Sequence, residues 1–172
     1  MGLVSVTDVQ LLARAQHAVD ELTADRTRVE VLDGMVVVNP PPSVEHGRII
    51  AKLYQQFVAW VPAGLQVDAF STGVYEKDDP EAEYQQPDVT VHRTHRDAAR
   101  IVGIDVELVV EVVSPSNRRH RDYEAAIVTR AVRYQIPWVL IVDPASRTTR
   151  WWHHGTETAT GPNWAGMITP WI

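Results

Sequence analysis

The chain has no cysteine, and only two of its sixteen basic residues are lysines, Lys52 and Lys77. The first absence excludes disulfides, thiolate zinc sites and a cysteine nucleophile, and it suits a cytoplasmic protein. The second leaves no lysine after position 77, so a cationic group acting on a substrate in the second half must be arginine or histidine. No apolar run approaches the ~20 residues of a membrane span. Met1 to Ser5 shows no basic segment leading an apolar one, so neither a membrane partner nor a secretory signal is expected. The net charge of −6 argues against a protein that coats nucleic acid non-specifically. Any contact with a polyanion would come from local basic patches.

What is present is an ordinary globular composition, 45% hydrophobic and 22% charged over 172 residues, enough for one domain with a real core. Residues 1–172 read as a single domain, with 1–27 as an N-terminal helical extension and 155–172 as a C-terminal tail. The extension is expected to hold a helix from about 8 to 22, capped by Thr7. Arg28–Leu32 and Met35–Val38 flank Asp33-Gly34, a pair that accepts the positive φ angles of a hairpin turn. Ser43 caps a second predicted helix from Val44 to Trp60, with Ile49, Ile50, Leu53 and Phe57 on its inner stripe and His46 on the same side. Leu65–Val74 reads as one strand, 76–86 as a polar loop, and Pro87–His92 as a strand. A helix is expected over 122–134, followed by strands at 138–142 and 148–153. The fold class is therefore α/β, a central mixed sheet flanked by helices with an N-terminal helix and hairpin.

The segment Leu108-Val109-Val110-Glu111-Val112-Val113 carries most of the functional argument. So dense a run of β-branched residues reads as a strand buried on both faces. A carboxylate within it is costly to bury unless it is paired, hydrogen-bonded or bound to a cation. Asp88 opens another short apolar strand. If the two strands pair, Asp88 and Glu111 can converge on one hard cation, Mg²⁺ or Mn²⁺, through oxygen ligands. Such a cation stabilises the charge that builds during phosphodiester cleavage. Arg118, Arg119 and Arg121 follow closely and could contact phosphates at the mouth of the site, or could form a solvated loop. His92, Arg93, His95 and Arg96 read as a surface cluster too loosely spaced for zinc. Trp151, Trp152, Trp164 and Trp171 read as core or interface anchors, and with the apolar tail they suggest a homodimer.

The chain also resembles the Uma2 family of restriction-endonuclease-like proteins, within the PD-(D/E)XK nuclease superfamily. The resemblance runs in order through Glu30-Val31-Leu32-Asp33-Gly34, Pro41-Pro42-Ser43-Val44-Glu45-His46, Pro87-Asp88-Val89, Glu111 to Ser116, Ile136-Pro137 and Val142-Asp143-Pro144. It implies a nuclease fold acting on DNA, with Asp88 and Glu111 as metal ligands and His46 on a helix bordering the site. The departures are informative. The superfamily's usual lysine two residues after the acid falls at Val113, and the position on the next helix where Uma2 proteins carry it falls at Ala126 or Ile127. The usual tyrosine one turn later is replaced by Arg130, and Met35 stands where the hairpin usually has a glutamate. Arginine stays charged, so it stabilises negative charge without replacing lysine in proton transfer.

Three functions follow as alternatives. The first is a Mg²⁺- or Mn²⁺-dependent DNA endonuclease, with Asp88, Glu111, His46 and Arg130 at its catalytic centre. The second is a degenerate relative that binds nucleic acid or assembles without cutting. A glycosidase with Asp88 and Glu111 as paired carboxylates would need them across an open sugar cleft, and adjacent strands of a buried sheet argue against it.

Overall fold

The computed structural model describes residues 28–171 apart from 33–34, 40–41, 70–72, 77–78, 94–99, 116, 120–121 and 167. The helix expected near the N-terminus lies outside the described residues, as do His95 and Arg96. The architecture is mixed α/β, with a central six-stranded mixed sheet and two described helices.

The predicted hairpin forms as β1 (Arg28–Leu32) and β2 (Met35–Asn39), paired antiparallel with Leu32 opposite Met35. Helix α1 follows at Val44–Trp60, within the expected bounds, and the Ser43 side chain accepts from the His46 N–H at 3.2 Å. That cap satisfies one of the orphan donors of the first turn. Gly64, with φ of +92°, completes the turn into β3 (Leu65–Ala69). The central sheet then gathers β6 (Val89–Arg93), β8 (Val106–Val112), β9 (Trp138–Asp143), β10 (Thr148–His153) and β11 (Thr156–Thr158). Its order is β11-β10-β9-β8-β6-β3. Among the described residues of this sheet only β8 and β9 run parallel, and helix α2 (Tyr123–Arg133) makes the crossover that parallel strands require.

Alternation along the central strands divides the core into two layers. Val89, Val91, Leu108, Val110 and Val112 face one side and meet Ile50, Leu53 and Phe57 of α1, all fully buried. Each such side chain is worth roughly 1.5–3 kcal/mol of burial. Val109, Val113, Val139 and Ile141 face the other side and meet Ile127 and Ala131 of α2. Glu111 shares this second face. The tail is docked rather than free: Trp164, Ile168 and Trp171 pack on the α1-side core, and Trp164 meets Phe57 edge-on.

Several expectations are corrected. The predicted strand 65–74 is two strands in different sheets, β3 and β4 (Gly73–Glu76). The expected polar loop 76–86 contains β5 (Asp79–Gln85), and β7 (Arg100–Val102) was not anticipated. These strands build a second sheet of order β2-β1-β5-β4-β7. The sequence of β5, Asp-Pro-Glu-Ala-Glu-Tyr-Gln, is poor in strand formers, so neighbours on both sides rather than propensity make it extended. His92 is not a surface residue: it is buried, with Nε2 donating to Asp68 Oδ2 at 2.9 Å.

Candidate active site

The site lies where the C-terminal end of β8, the start of β6 and the N-terminal turns of both helices meet. The β6–β8 register pairs Val89 with Val110, so one step further sets Asp88 opposite Glu111. Side chains at opposed positions of antiparallel strands share a face. Asp88 is 1% exposed and Glu111 6%, so both carboxylates stand in the dry end of the sheet.

Each acid is held by named donors. Asp88 Oδ2 accepts the Val112 backbone N–H at 2.8 Å and the His46 Nε2–H at 3.2 Å. His46 reaches it because the Ser43 cap starts α1 one turn earlier, with the ring on the buried side. Glu111 Oε1 accepts from Gln85 Nε2 at 3.2 Å, and Oε2 accepts from the Tyr123 hydroxyl at 3.5 Å. Gln85 is the last residue of β5, so the strand missed in the sequence delivers a contact to the central acid. A third buried acid, Glu30 of β1, accepts the Gln86 N–H at 2.9 Å.

Tyr123 reports the electrostatics of this cluster. Its phenol is held well above the usual tyrosine value, first by burial and then by the negative fields of Glu111, Asp88 and Glu30, against a hydrogen bond with Asn117. Three carboxylates therefore act on one hydroxyl. It stays protonated at neutral pH, a hydrogen-bond donor and not a base.

The arginines separate. Arg118 pairs with Asp143 at the end of β9, beside the site. Arg119 closes the short 3₁₀ turn Asn117–Arg119, and Arg121 lies outside the described residues. Arg130 sits seven residues beyond Tyr123 on α2, about 10 Å along the axis. Its Nε is buried with no hydrogen-bond partner among the described residues. Val113 is 5% exposed within the α2-side core, and Ile127 is 2% exposed in the same layer.

Sequence reasoning did not single out Tyr123, Gln85 or Glu30 for the site. Tyr123 carried a signal, following Asp122 directly in the first turn of a predicted helix. Gln85 carried none, since its strand was unrecognised.

The donor set suits a hard divalent cation. Two buried carboxylates on opposed strands fit an ion that keeps several waters and takes one or two protein oxygens. Among the described residues no group of three or more His, Cys, Asp or Glu side chains is placed to hold a metal ion.

This sheet, with its crossover helix and acids at the strand ends, is a nuclease-like fold. The crystal structure of a "putative nuclease belonging to DUF820" from Anabaena variabilis ATCC 29413 superposes with a TM-score of 0.68 at 15% identity, covering 84% of this chain and 87% of that one. At that identity the likeness is one of fold. The chain belongs to the Uma2 family, described as "Putative restriction endonuclease", whose family model matches residues 16–165. No curated protein matches it. Among the described residues no helix is long and apolar enough to cross a membrane.

Proposed function

We propose that this protein is a divalent-metal-dependent endonuclease acting on DNA, with Asp88 and Glu111 as the metal ligands. The observation that carries the proposal is the convergence of these two buried acids from opposed strands, beside a Tyr123 phenol raised by burial and then by their charge. A bound Mg²⁺ or Mn²⁺ would supply Lewis acidity toward a phosphate oxygen and water. His46 is a positioning residue that orients Asp88 through Nε2. Gln85 orients Glu111. Tyr123 donates toward the space beside Glu111 and cannot accept a proton from water at neutral pH. Arg118, with Arg119 and Arg121 in the same segment, supplies positive charge for flanking phosphates.

No lysine supports water activation at Val113, Ala126 or Ile127, and Arg130 lies two turns beyond Tyr123 on α2, so the expected rate is low. That same observation favours a second reading, a relative that binds nucleic acid without cutting it. Calorimetric titration with Mn²⁺, run beside plasmid nicking, tests both. Binding that disappears in Asp88→Asn and Glu111→Gln, together with metal-dependent nicking, supports the nuclease. DNA binding without nicking across Mg²⁺, Mn²⁺ and Co²⁺ supports the second reading. No Mn²⁺ binding that depends on both acids overturns the first.

A further inference from the structure

Beside the acids, between the first turns of α1 and the segments that follow β8 and β9, lies a cavity of about 130 Å³ that the proposed chemistry leaves unused. Ile49 and Val113 give it an apolar lining. Two rigid rings, Pro115 after β8 and Pro144 after β9, contribute to its walls. Charged residues line it too, Glu45 of α1 and Arg118. His46 lines it as well, and the same ring touches Asp88, so the cavity adjoins the acid site directly.

Size selects the occupant. A cavity of roughly 150 Å³ holds one benzene ring, whereas drug-sized ligands occupy about 300–1,000 Å³. The space therefore suits a single six-membered ring. Flat proline faces stack well against such a ring, and a carboxylate in the lining accepts from an exocyclic amine, as glutamate does from the N4 amine of cytosine. Arg118 is braced for the accompanying phosphate. Asp143, which holds its guanidinium, is itself fixed by the Ala145 N–H at 3.0 Å and the Ser146 hydroxyl at 2.7 Å. The brace keeps an exposed arginine in one place beside the cavity.

We infer that this cavity takes one unpaired pyrimidine base, cytosine before thymine, next to the phosphate presented to Asp88 and Glu111. The preferred substrate would then be DNA carrying a bulged, frayed or flipped nucleotide rather than a perfect duplex. The inference rests on the nuclease reading for its substrate class, but it makes a separate demand on binding.

The test measures fluorescence anisotropy of labelled duplexes with the full-length protein in Ca²⁺, alongside cleavage of the same duplexes in Mn²⁺. The duplexes carry a single unpaired cytosine, an unpaired adenine, an abasic site or no defect. Stacking energies predict that unpaired cytosine binds about tenfold tighter than the abasic site, and the size of the cavity makes adenine weaker than cytosine. Ala145→Trp, which fills the cavity, should bring that ratio close to one. Should the variant misfold, the abasic comparison in the wild-type protein decides alone. Equal affinity for all four duplexes, or no DNA binding, overturns the inference. Cleavage with equal affinities would leave the nuclease standing and remove the pocket. A cytosine preference without cleavage would leave the pocket standing and remove the nuclease.

Discussion

His46 and Asp88 lie 42 residues apart in sequence, yet the imidazole Nε2 and the carboxylate Oδ2 stand 3.2 Å apart. One comes from the capped first turn of α1 and the other from the residue before β6. The same oxygen accepts the Val112 N–H, so Asp88 ties helix, strand start and central strand together. An acid fixed in this way is presented in one orientation, which a two-carboxylate metal site requires.

The first prediction separates the structural and chemical parts of Asp88. Asp88→Asn keeps an acceptor for Val112 and should stay folded while losing Mn²⁺ binding. Asp88→Ala leaves buried donors unsatisfied and should be less stable than Asp88→Asn by about 1–3 kcal/mol. Urea unfolding of the two variants measures this. Equal stabilities would show that the Val112 contact contributes little.

Restoring a lysine should work at one of the two helix positions and fail at the other. Ala126 is partly exposed in the first turn after Tyr123, whereas Ile127 is core. Ala126→Lys should fold and raise the Mn²⁺-dependent nicking rate by about tenfold or more. Ile127→Lys should lose several kcal/mol by placing a charge in the α2-side layer. An Ala126→Lys protein that binds metal and still fails to cut would show that more than the lysine has been lost.

Tyr123 predicts the alkaline behaviour. Its folded value is raised, so its stabilising share is complete below the unfolded value near 10 and is lost as pH rises through the folded value. Chemical denaturation between about pH 9 and 11 should show a steeper fall for the wild type than for Tyr123→Phe. Parallel slopes would contradict the field assigned to Glu111, Asp88 and Glu30.

Asp143 predicts the acid behaviour, with the opposite sign. Burial alone would raise its carboxyl, but the Ser146 hydroxyl, the Ala145 N–H and Arg118 outweigh that and hold it below the usual aspartate range. Its contribution is present above the unfolded value near 3.9 and lost as pH falls through the folded one. The stability gap between wild type and Asp143→Asn should therefore shrink as pH drops below about 4. A gap constant from neutral pH into acid would rule the assignment out.

Gly103 predicts a backbone effect. A Cβ at this position would meet the Tyr134 carbonyl oxygen at 2.2 Å and the Tyr134 Cβ at 2.7 Å, both just after α2. Gly103→Ala should cost about 1–3 kcal/mol in denaturant unfolding as α2 is pushed outward. An unchanged midpoint would mean that this end of α2 yields freely.

Much of the frame is legible locally. The α1 stripe, its Ser43 cap, the strands of the first hairpin and the apolar runs of β8 and β9 are patterns within a few residues, where periodicity and capping act. These elements stand where the residues predict them. The strand β5 was not legible, because acids and a proline hide it until β1 and β4 supply partners. His92 was misread for a related reason: a histidine between basic neighbours looks solvated until the sheet covers it and Asp68 meets its ring.

The sequence by itself determined that Asp88 and Glu111 are the acids to watch, because a carboxylate among β-branched residues has few bland explanations. It also determined that no lysine stands at the expected positions. Only the tertiary structure decided which side chains complete the site. Register sets Asp88 against Glu111, the second sheet brings Gln85 and Glu30, and the crossover helix brings Tyr123. Such contacts join residues far apart in the chain. They depend on how strands pair and how helices lie on the sheet, which no short stretch of sequence contains.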